Sequence, residues 1–495
     1  MRHKHPCLAL AMLCAIHWFQ PADGIKPEIP VDLPPQWVEA PALLSGQATA
    51  TLQSRMPDRR WWLAFQDNCL SEYIQTAITN SPNLRASLER IAQARAQVRQ
   101  AIGDQLPVVK GAINGGQVNI PSELHKNIKL PIPQNNPLFS SFNNLNNLSP
   151  FSLKRLNFLT LLGSASYEAD IWGKYWDITK SARKEVQASE ADTRASEVML
   201  QAEVAMAYFD LLRAEALYCL TERIVDKMKE TRDLMALLYQ NGLETIDNLL
   251  RIERDIAERE ADLNAYKQNM SLAAHELSTL TGMPPQTYSK MPRSRLEQVT
   301  VPVCLDTGLP LVVIAQRPDV AAQELRLERA GINVRVARKK FLPTIRVSDF
   351  FGFTAVKGGQ VLDGSSFINA IIGNGEHTFF QGGKVLANLR LEQARQREQI
   401  ETYRQTILTA LKEVEDSLSK LLRAYEDQET NDQERKASSQ VLQVTQALYQ
   451  NGLRARLDVL KAENELLLRE VRAIQAKADK LVATVELYKA LGGGY

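Results

Sequence analysis

Apolar positions along this chain follow two periods that alternate with each other. Leu84, Leu88, Ile91, Val98 and Ile102 recur at alternating steps of four and three, the spacing of a helical stripe, with Arg95 breaking it. Ala86, Ala92, Ala94, Ala96 and Ala101 fill other positions, so a neighbouring helix can approach closely, as in a coiled-coil-like bundle. Pro107 ends the segment, and its counterpart starts after Pro318 and ends before Pro343. Beyond each proline the period becomes two. Ala165, Tyr167, Ala169 and Ile171 alternate with Ser164, Ser166, Glu168 and Asp170, which predicts a strand with one apolar and one wet face. Its partner is expected from Val108 to about Ile120. In the second half Thr344 to Phe353 opens in the same way, Ile345 and Val347 opposite Thr344, Arg346 and Ser348, with a return strand near Phe367 to Phe380. Pro121 to Phe158, rich in Asn and Pro, reads as a solvent-exposed loop. The second loop, with Gly358-Gly359 and Asp363-Gly364, is shorter.

Two proline-free runs, Lys174 to Met283 and Lys384 to Leu491, each exceed one hundred residues and read as helix. Both turn at the same words: Leu238-Tyr239-Gln240-Asn241-Gly242-Leu243 and Leu448-Tyr449-Gln450-Asn451-Gly452-Leu453. Glycine accepts the left-handed backbone that closes a helix, so Asn-Gly after a long periodic segment is a stop signal. Each run is therefore a helical hairpin that returns through Asp247 to Leu280 or Asp458 to Leu491. The 67 residues from Lys174 to Gln240 and from Lys384 to Gln450 would each make a rod of about 100 Å at the helical rise. Such a rod needs packing partners along its length.

The hairpins belong to a wider duplication. Ala202-Glu203-Val204 aligns with Lys412-Glu413-Val414 and Leu211-Leu212 with Leu421-Leu422. Upstream, Pro82-Asn83-Leu84 aligns with Pro318-Asp319-Val320 and Leu106-Pro107 with Leu342-Pro343. The offset of 236 upstream drops to 210 in the helices, so the first loop is 26 residues longer. The expected plan is a segment 25–60 rich in proline and extended, a first repeat over 61–300 and a second over 301–495. Trp61, Trp62 and Phe65 open the first repeat as aromatic anchors of a short helix.

Composition narrows the function classes. With 59 basic and 57 acidic residues the net charge is near zero, which gives no support to nucleic-acid binding. Residues 1–24 resemble an export signal: Arg2 and Lys4, an apolar core from Leu8 to Phe19, then Pro21-Ala22-Asp23-Gly24. A lipoprotein signal using Cys14 competes, but Leu13 stands where that signal wants a small residue. Cys69, Cys219 and Cys304 make no disulfide framework, and Cys219 is expected to pack as a small apolar side chain in its helix. The histidines form no metal-ligand cluster, and His275-Glu276 reads as a helix-surface pair. No constellation of nucleophile and base points to an enzyme, and no cofactor is expected.

Two strand hairpins supply four strands, too few to close a barrel in lipid, where open edges are not tolerated and the smallest barrels have eight strands. Membrane strands here would require several copies of the chain, and a shared barrel joined to long helices makes a conduit.

The residues then reach a resemblance. Trp61-Trp62 to Phe65, the junction Glu168-Ala169-Asp170-Ile171-Trp172-Gly173-Lys174, Arg317-Pro318-Asp319-Val320, Phe341-Leu342-Pro343 and the paired Tyr-x-x-Gly turns together resemble the TolC-type outer-membrane efflux channels that serve resistance-nodulation-division (RND-type) pumps. The resemblance covers Trp61 to the C-terminus. It implies a mainly α fold with a small β-barrel portion, a homotrimer pooling four strands per chain in the outer membrane of a Gram-negative bacterium, and a periplasmic helical tunnel. It further implies a periplasmic adaptor protein and an inner-membrane RND-type pump as partners, and small toxic molecules as cargo. Family-typical lipid anchoring is put in doubt by Leu13. The alternatives are an exit duct for type I protein secretion and a soluble periplasmic scaffold.

By this resemblance Tyr239, Gly242 and Asp247 with Tyr449, Gly452, Arg454, Arg456 and Asp458 lie at a periplasmic tip, where salt links among the charged members hold the aperture shut. Read from the residues alone, the aspartates are N-caps, the arginines solvated and the tyrosines packed against their turns. Tyr167, Trp172, Tyr175 and Trp176 mark the inner membrane-water interface, or else pack at the strand-helix junction. Glu168 and Asp170 line a lumen or are simply solvated.

Overall fold

The two longest elements of this computed structural model are single helices, Lys174–Gln240 and Lys384–Gln450, each of 67 residues. They start with the proline-free runs and stop just before Asn241-Gly242 and Asn451-Gly452, as expected. The structure describes residues 31, 33–38, 51–53, 58–119, 155–302, 304–306, 309–355 and 364–494. The export signal, Cys14 and most of the Asn-rich loop lie outside these residues.

In chain order the elements are β1 (Thr51–Gln53), a 3-10 turn over Trp61–Phe65, α1 (Asn68–Asn80), α2 (Pro82–Gly103), β2 (Val108–Asn119), β3 (Arg155–Ala169), α3 (Lys174–Gln240) and α4 (Ile246–Leu280). The second half supplies β4 (Cys304–Asp306), α5 (Pro310–Gln316), α6 (Pro318–Lys339), β5 (Thr344–Ala355), β6 (Phe367–Glu376), α7 (Lys384–Gln450) and α8 (Arg456–Ala490). Both hairpin turns use the left-handed glycine that their sequence calls for, Gly242 and Gly452 each at φ 71°. In each, the amide after glycine closes back on the helix, Leu243 N–H to Leu238 O and Leu453 N–H to Leu448 O, both 2.9 Å.

Strand boundaries depart from the expected ones. β3 starts at Arg155 rather than Ser164, taking the end of the predicted loop into the sheet, and it stops at Ala169 because Asp170 to Gly173 turn into α3. β6 ends at Glu376, short of Phe380. The order β2-β3-β5-β6 is antiparallel throughout, with Tyr167 opposite Val347 and Leu161 opposite both Ile113 and Phe353.

The chain divides into two compact units, and each draws on both halves of the sequence. The first comprises Met1–Ala92, Val186–Glu328 and Glu398–Tyr495; the second comprises Gln93–Glu185 and Arg329–Arg397. In the first unit the anchors Trp61, Trp62 and Phe65 are buried with Leu70, Ile74, Tyr208, Phe209, Leu421 and Leu481. Trp61 stacks on Tyr488 with ring centroids 5.3 Å apart. Tyr208 ties this core together: its hydroxyl donates to Asp67 (2.9 Å) and accepts from the Ser294 amide (3.0 Å). In the Arg-Pro-Asp-Val segment, Arg317 is buried, donates to the Ala490 carbonyl at 2.6 Å and pairs with Asp319 and Glu413. That contact satisfies a carbonyl which the end of α8 would otherwise leave open.

The stripe on α2 is used only in part. Leu84, Ala94 and Ala101 are buried, whereas Leu88 and Ile102 are exposed at 53% and 38%. Small residues allow the close helix approach, and the larger ones are left uncovered within one chain. Cys219 corrects an expectation outright: it is exposed on the surface of α3 instead of packed.

Candidate functional site

Register assigns the two faces of the four-stranded sheet. Paired residues share a face, so Val109, Ile113, Leu161, Tyr167, Val347, Phe351, Phe367 and Ile371 lie together. Val109, Ile113 and Ile371 are exposed at 70%, 74% and 73%. Lys110, Asn114, Ser164, Ser166, Glu168, Arg346 and Ser348 lie on the other face, where Glu168 pairs with Lys174 at 2.5 Å and Arg346 at 3.4 Å. Polar residues interrupt the apolar face at two places: Asn369 donates to Asp349 at 3.2 Å, and at the far end of β2 the register sets Gln117 opposite Asn157 and Asn119 opposite Arg155. Nothing among the described residues covers the apolar side of this sheet.

Two glycines permit the close packing of this sheet. At Gly352 an added Cβ would lie 2.1 Å from the Leu161 carbonyl oxygen, and at Gly163 2.5 Å from the Phe351 ring, which lies over that position. Neither position tolerates a side chain without displacing its neighbour.

Where strand becomes helix, charged and aromatic groups are fixed. Asp177 is buried between Lys339 (2.7 Å) and Arg335 (3.3 Å), and Lys339 also donates to the Gly173 carbonyl at 2.9 Å. Burial pushes the Asp177 carboxyl upward, but hydrogen bonds from Lys339 and Arg335 outweigh it and hold the group below the ordinary carboxylate range. The Trp172 indole N–H donates to the Pro343 carbonyl at 2.7 Å, and Lys174 sits over the Tyr175 ring. Of the four aromatics at this junction, Tyr167, Trp172 and Trp176 are exposed at 39%, 41% and 63% and Tyr175 is half-buried. Phe379 and Phe380, expected at the end of the return strand, instead follow β6 in the connection to α7, exposed at 92% and 86%.

Of the links expected among the charged tip residues, the structure forms one, Arg454 to Asp458, and gives Asp247 and Arg456 other partners. Asp247 is the second residue of α4, pairs with Arg251 at 2.8 Å and is not the N-cap, a position held by Thr245. Asp458 is the third residue of α8; its carboxylate accepts from the Ala455 amide at 3.3 Å and approaches Arg454 to 3.8 Å. Arg456 reaches across to Glu230 on α3 at 2.8 Å, and Lys227 bridges Glu230 (3.0 Å) and Glu463 (3.5 Å). The hydrogen bond raises the Arg456 pKa and lowers that of Glu230. Asp247 is thus not brought to Arg454, Arg456 or Asp458 within the chain: the two hairpins are joined through Glu230 and Lys227, which carried no sequence motif to single them out. Tyr239 and Tyr449, expected to pack against the turns, are exposed at 43% and 42%.

No described helix is long and apolar enough to cross a membrane, and no group of three or more His, Cys, Asp or Glu is placed to hold a metal among the described residues.

Known proteins are similar to this chain in sequence and in fold. The chain is 28% identical to the pyoverdine export outer membrane protein OpmQ of Pseudomonas putida over 99% of its own length and 98% of the relative's. It is 27% identical to the cation efflux system protein CusC of Escherichia coli with the same coverage. The Campylobacter jejuni CmeC outer membrane channel matches its fold with a TM-score of 0.79, 22% identity, and coverage of 96% of this chain and 94% of that one. Residues 73–283 and 309–493 match the family described as outer membrane efflux protein. These segments hold both helical hairpins and the whole described sheet, and the chain accordingly belongs to the outer membrane efflux protein family.

Proposed function

We propose that this chain is one protomer of a homotrimeric exit duct in the outer membrane, through which small toxic molecules leave the periplasm. The carrying observation is the sheet β2-β3-β5-β6, whose two outer strands have one edge each without a partner among the described residues. β2 and β6 run in opposite directions, so β6 of one copy can pair antiparallel with β2 of the next. Three copies then pool twelve strands, enough for a closed barrel with its apolar side to lipid. Leu88, Ile102, Met199, Leu408 and Val444, exposed on the helices, offer cover for neighbouring copies.

The tips carry the gate. In this reading Tyr239, Gly242, Asp247, Tyr449, Gly452, Arg454, Arg456 and Asp458 meet a periplasmic adaptor, and the pairs around Arg456 hold the aperture closed until it docks. An inner-membrane RND-type pump supplies the energy, so the channel itself performs no catalysis. Support for a small cargo comes from relatives named for pyoverdine export and cation efflux.

The test is reconstitution of the purified mature protein. We expect an SDS-resistant oligomer of three chains that dissociates on heating, and stepwise conductance in planar bilayers. A monomeric, water-soluble protein that passes no ions would overturn the proposal. A deletion strain hypersensitive to no small compound but defective in exporting a protein would favour type I secretion.

A further inference from the structure

The near-neutral total conceals a division of charge. Residues 93–185 and 329–397, the unit that contains the sheet, carry 22 Lys and Arg against 10 Asp and Glu; the remainder of the chain carries 37 against 47. Within the sheet-containing unit most described acids are already engaged. Asp177 is held by Arg335 and Lys339, Glu168 by Lys174 and Arg346, Glu185 by Arg329, and Glu392 by Arg395. Asp170 accepts the Trp176 amide at 2.9 Å.

The cations are left in excess. Lys180, Arg183, Arg338, Lys340 and Lys384 are exposed, and no acid among the described residues pairs with them. All five stand close to an end of a strand that the proposed function puts in lipid. Arg338 and Lys340 precede β5 by a few residues, and Lys384 opens α7 after β6. Trp176, Lys180 and Arg183 follow steps of four and three, which puts them on one face of α3. Arg183 is about 14 Å along that helix at 1.5 Å per residue, within the combined reach of a headgroup layer and a long side chain that extends toward it. Exposed Phe341, Phe379 and Phe380 accompany the cations. Aromatic rings with leftover lysine and arginine at the end of membrane strands match a surface whose upper part is apolar and whose lower part bears phosphate.

We infer that this is a basic collar binding the phosphate headgroups of anionic glycerophospholipid in the periplasmic leaflet. The inference rests on the outer-membrane reading above. It goes beyond that reading by giving the channel a lipid preference and a set of residues that carry it. Lys180 and Arg183 are the centre of the site; Arg338, Lys340 and Lys384 extend it.

The experiment uses the full mature protein in phosphatidylethanolamine vesicles, with and without phosphatidylglycerol, and reads the temperature at which the SDS-resistant oligomer dissociates. Phosphatidylglycerol is expected to raise that temperature for the wild type. The combined variant Lys180→Gln, Arg183→Gln, Lys340→Gln and Lys384→Gln should lose the rise while keeping its conductance in phosphatidylethanolamine alone. A second variant with Lys180→Arg, Arg183→Lys, Lys340→Arg and Lys384→Arg should keep the rise, which separates lost charge from damaged folding. Inorganic phosphate added to phosphatidylethanolamine vesicles should not reproduce it. A rise that survives in the glutamine variant, is absent in the wild type, or appears with phosphate alone overturns the inference. Wild-type protein that inserts in neither lipid and conducts no ions sinks the channel reading, and the collar with it.

Discussion

Arg456, at the start of the return helix of the second hairpin, donates to Glu230 on the outgoing helix of the first across 2.8 Å. Both side chains are exposed at roughly two-fifths, so screening by water and salt limits the pair to about 1 kcal/mol or less. Under the proposed function, such a weak pair suits a contact that adaptor docking would break. Arg456→Gln should leave the melting temperature unchanged and raise the open fraction in planar bilayers. The rise should be smaller in high salt, where the wild-type pair is already weakened. Equal open fractions for the variant and the wild type at low salt would remove Arg456 from the gate. Because the Glu230 pKa is lowered, the pair's contribution is present above the ordinary glutamate range and is lost as pH falls through the lowered value.

Gly352 gives a sharper structural test. Its Cβ would meet backbone, the Leu161 carbonyl oxygen and the Leu162 Cα at 2.9 Å, which cannot rotate away. Gly352→Ala should cost at least about 2 kcal/mol and uncouple β3 from β5, seen as loss of the heat-modifiable band. Gly111→Ala is the matched control, since nothing lies within 4 Å of that position, and it should behave as wild type.

At the strand-helix junction, Asp177→Asn removes the buried anion between Arg335 and Lys339. Two cations left facing each other should cost about 3 kcal/mol, at the low end for a broken buried pair because Arg335 is partly exposed. Thermal dissociation of the oligomer reads this directly. In the wild type the depressed carboxyl makes the same contribution vanish only in acid, as pH drops below the ordinary aspartate range. The difference between wild type and variant should therefore shrink at low pH and persist at neutral pH.

Lys480 titrates in the opposite sense to these acids. It is buried in α8, donates to Gln428 at 2.9 Å and lies 3.5 Å from the centre of the Tyr425 ring; burial pushes its pKa down to about 8. Below that value the folded chain holds a desolvated charge. Between about 8 and the ordinary lysine value of about 10.4, the unfolded chain binds a proton that the folded one does not, so stability rises with pH. Lys480→Met should stabilise the protein by about 1 kcal/mol at pH 7, once the lost cation-π contact is set against the relieved desolvation. That advantage should fade by pH 10. An advantage that is independent of pH between 7 and 10 would mean that burial does not lower the Lys480 pKa.

The long helices and their turns were legible because their signals are local and strong. Proline-free periodicity bounded α3 and α7, and Asn241-Gly242 and Asn451-Gly452 closed them at the expected residues. Strand ends were less legible. Arg155 to Leu162 mixes polar and apolar residues without clean alternation, and pairing with Val108–Asn119, joined from Leu159 by pairing with β5, draws it into the sheet. The tip was the hardest part to read. Motif and resemblance pointed to residues near the glycines, yet Arg456 finds its partner 226 positions away, at a glutamate indistinguishable in sequence from many other helix-surface acids. The basic collar was hidden for another reason: a sum over the whole chain cancels two opposite regional excesses, and only the division into units exposes them.

Each compact unit takes residues from both halves, and the consequence falls on biogenesis. Trp61 waits for Tyr488, and Thr51–Gln53 for Cys304–Asp306, so the first unit cannot close until nearly the last residue has been made. No half-length intermediate has a finished hydrophobic interior. The last step in building the first unit is therefore a closure between the two ends of the polypeptide, and it falls after nearly all of the chain is available.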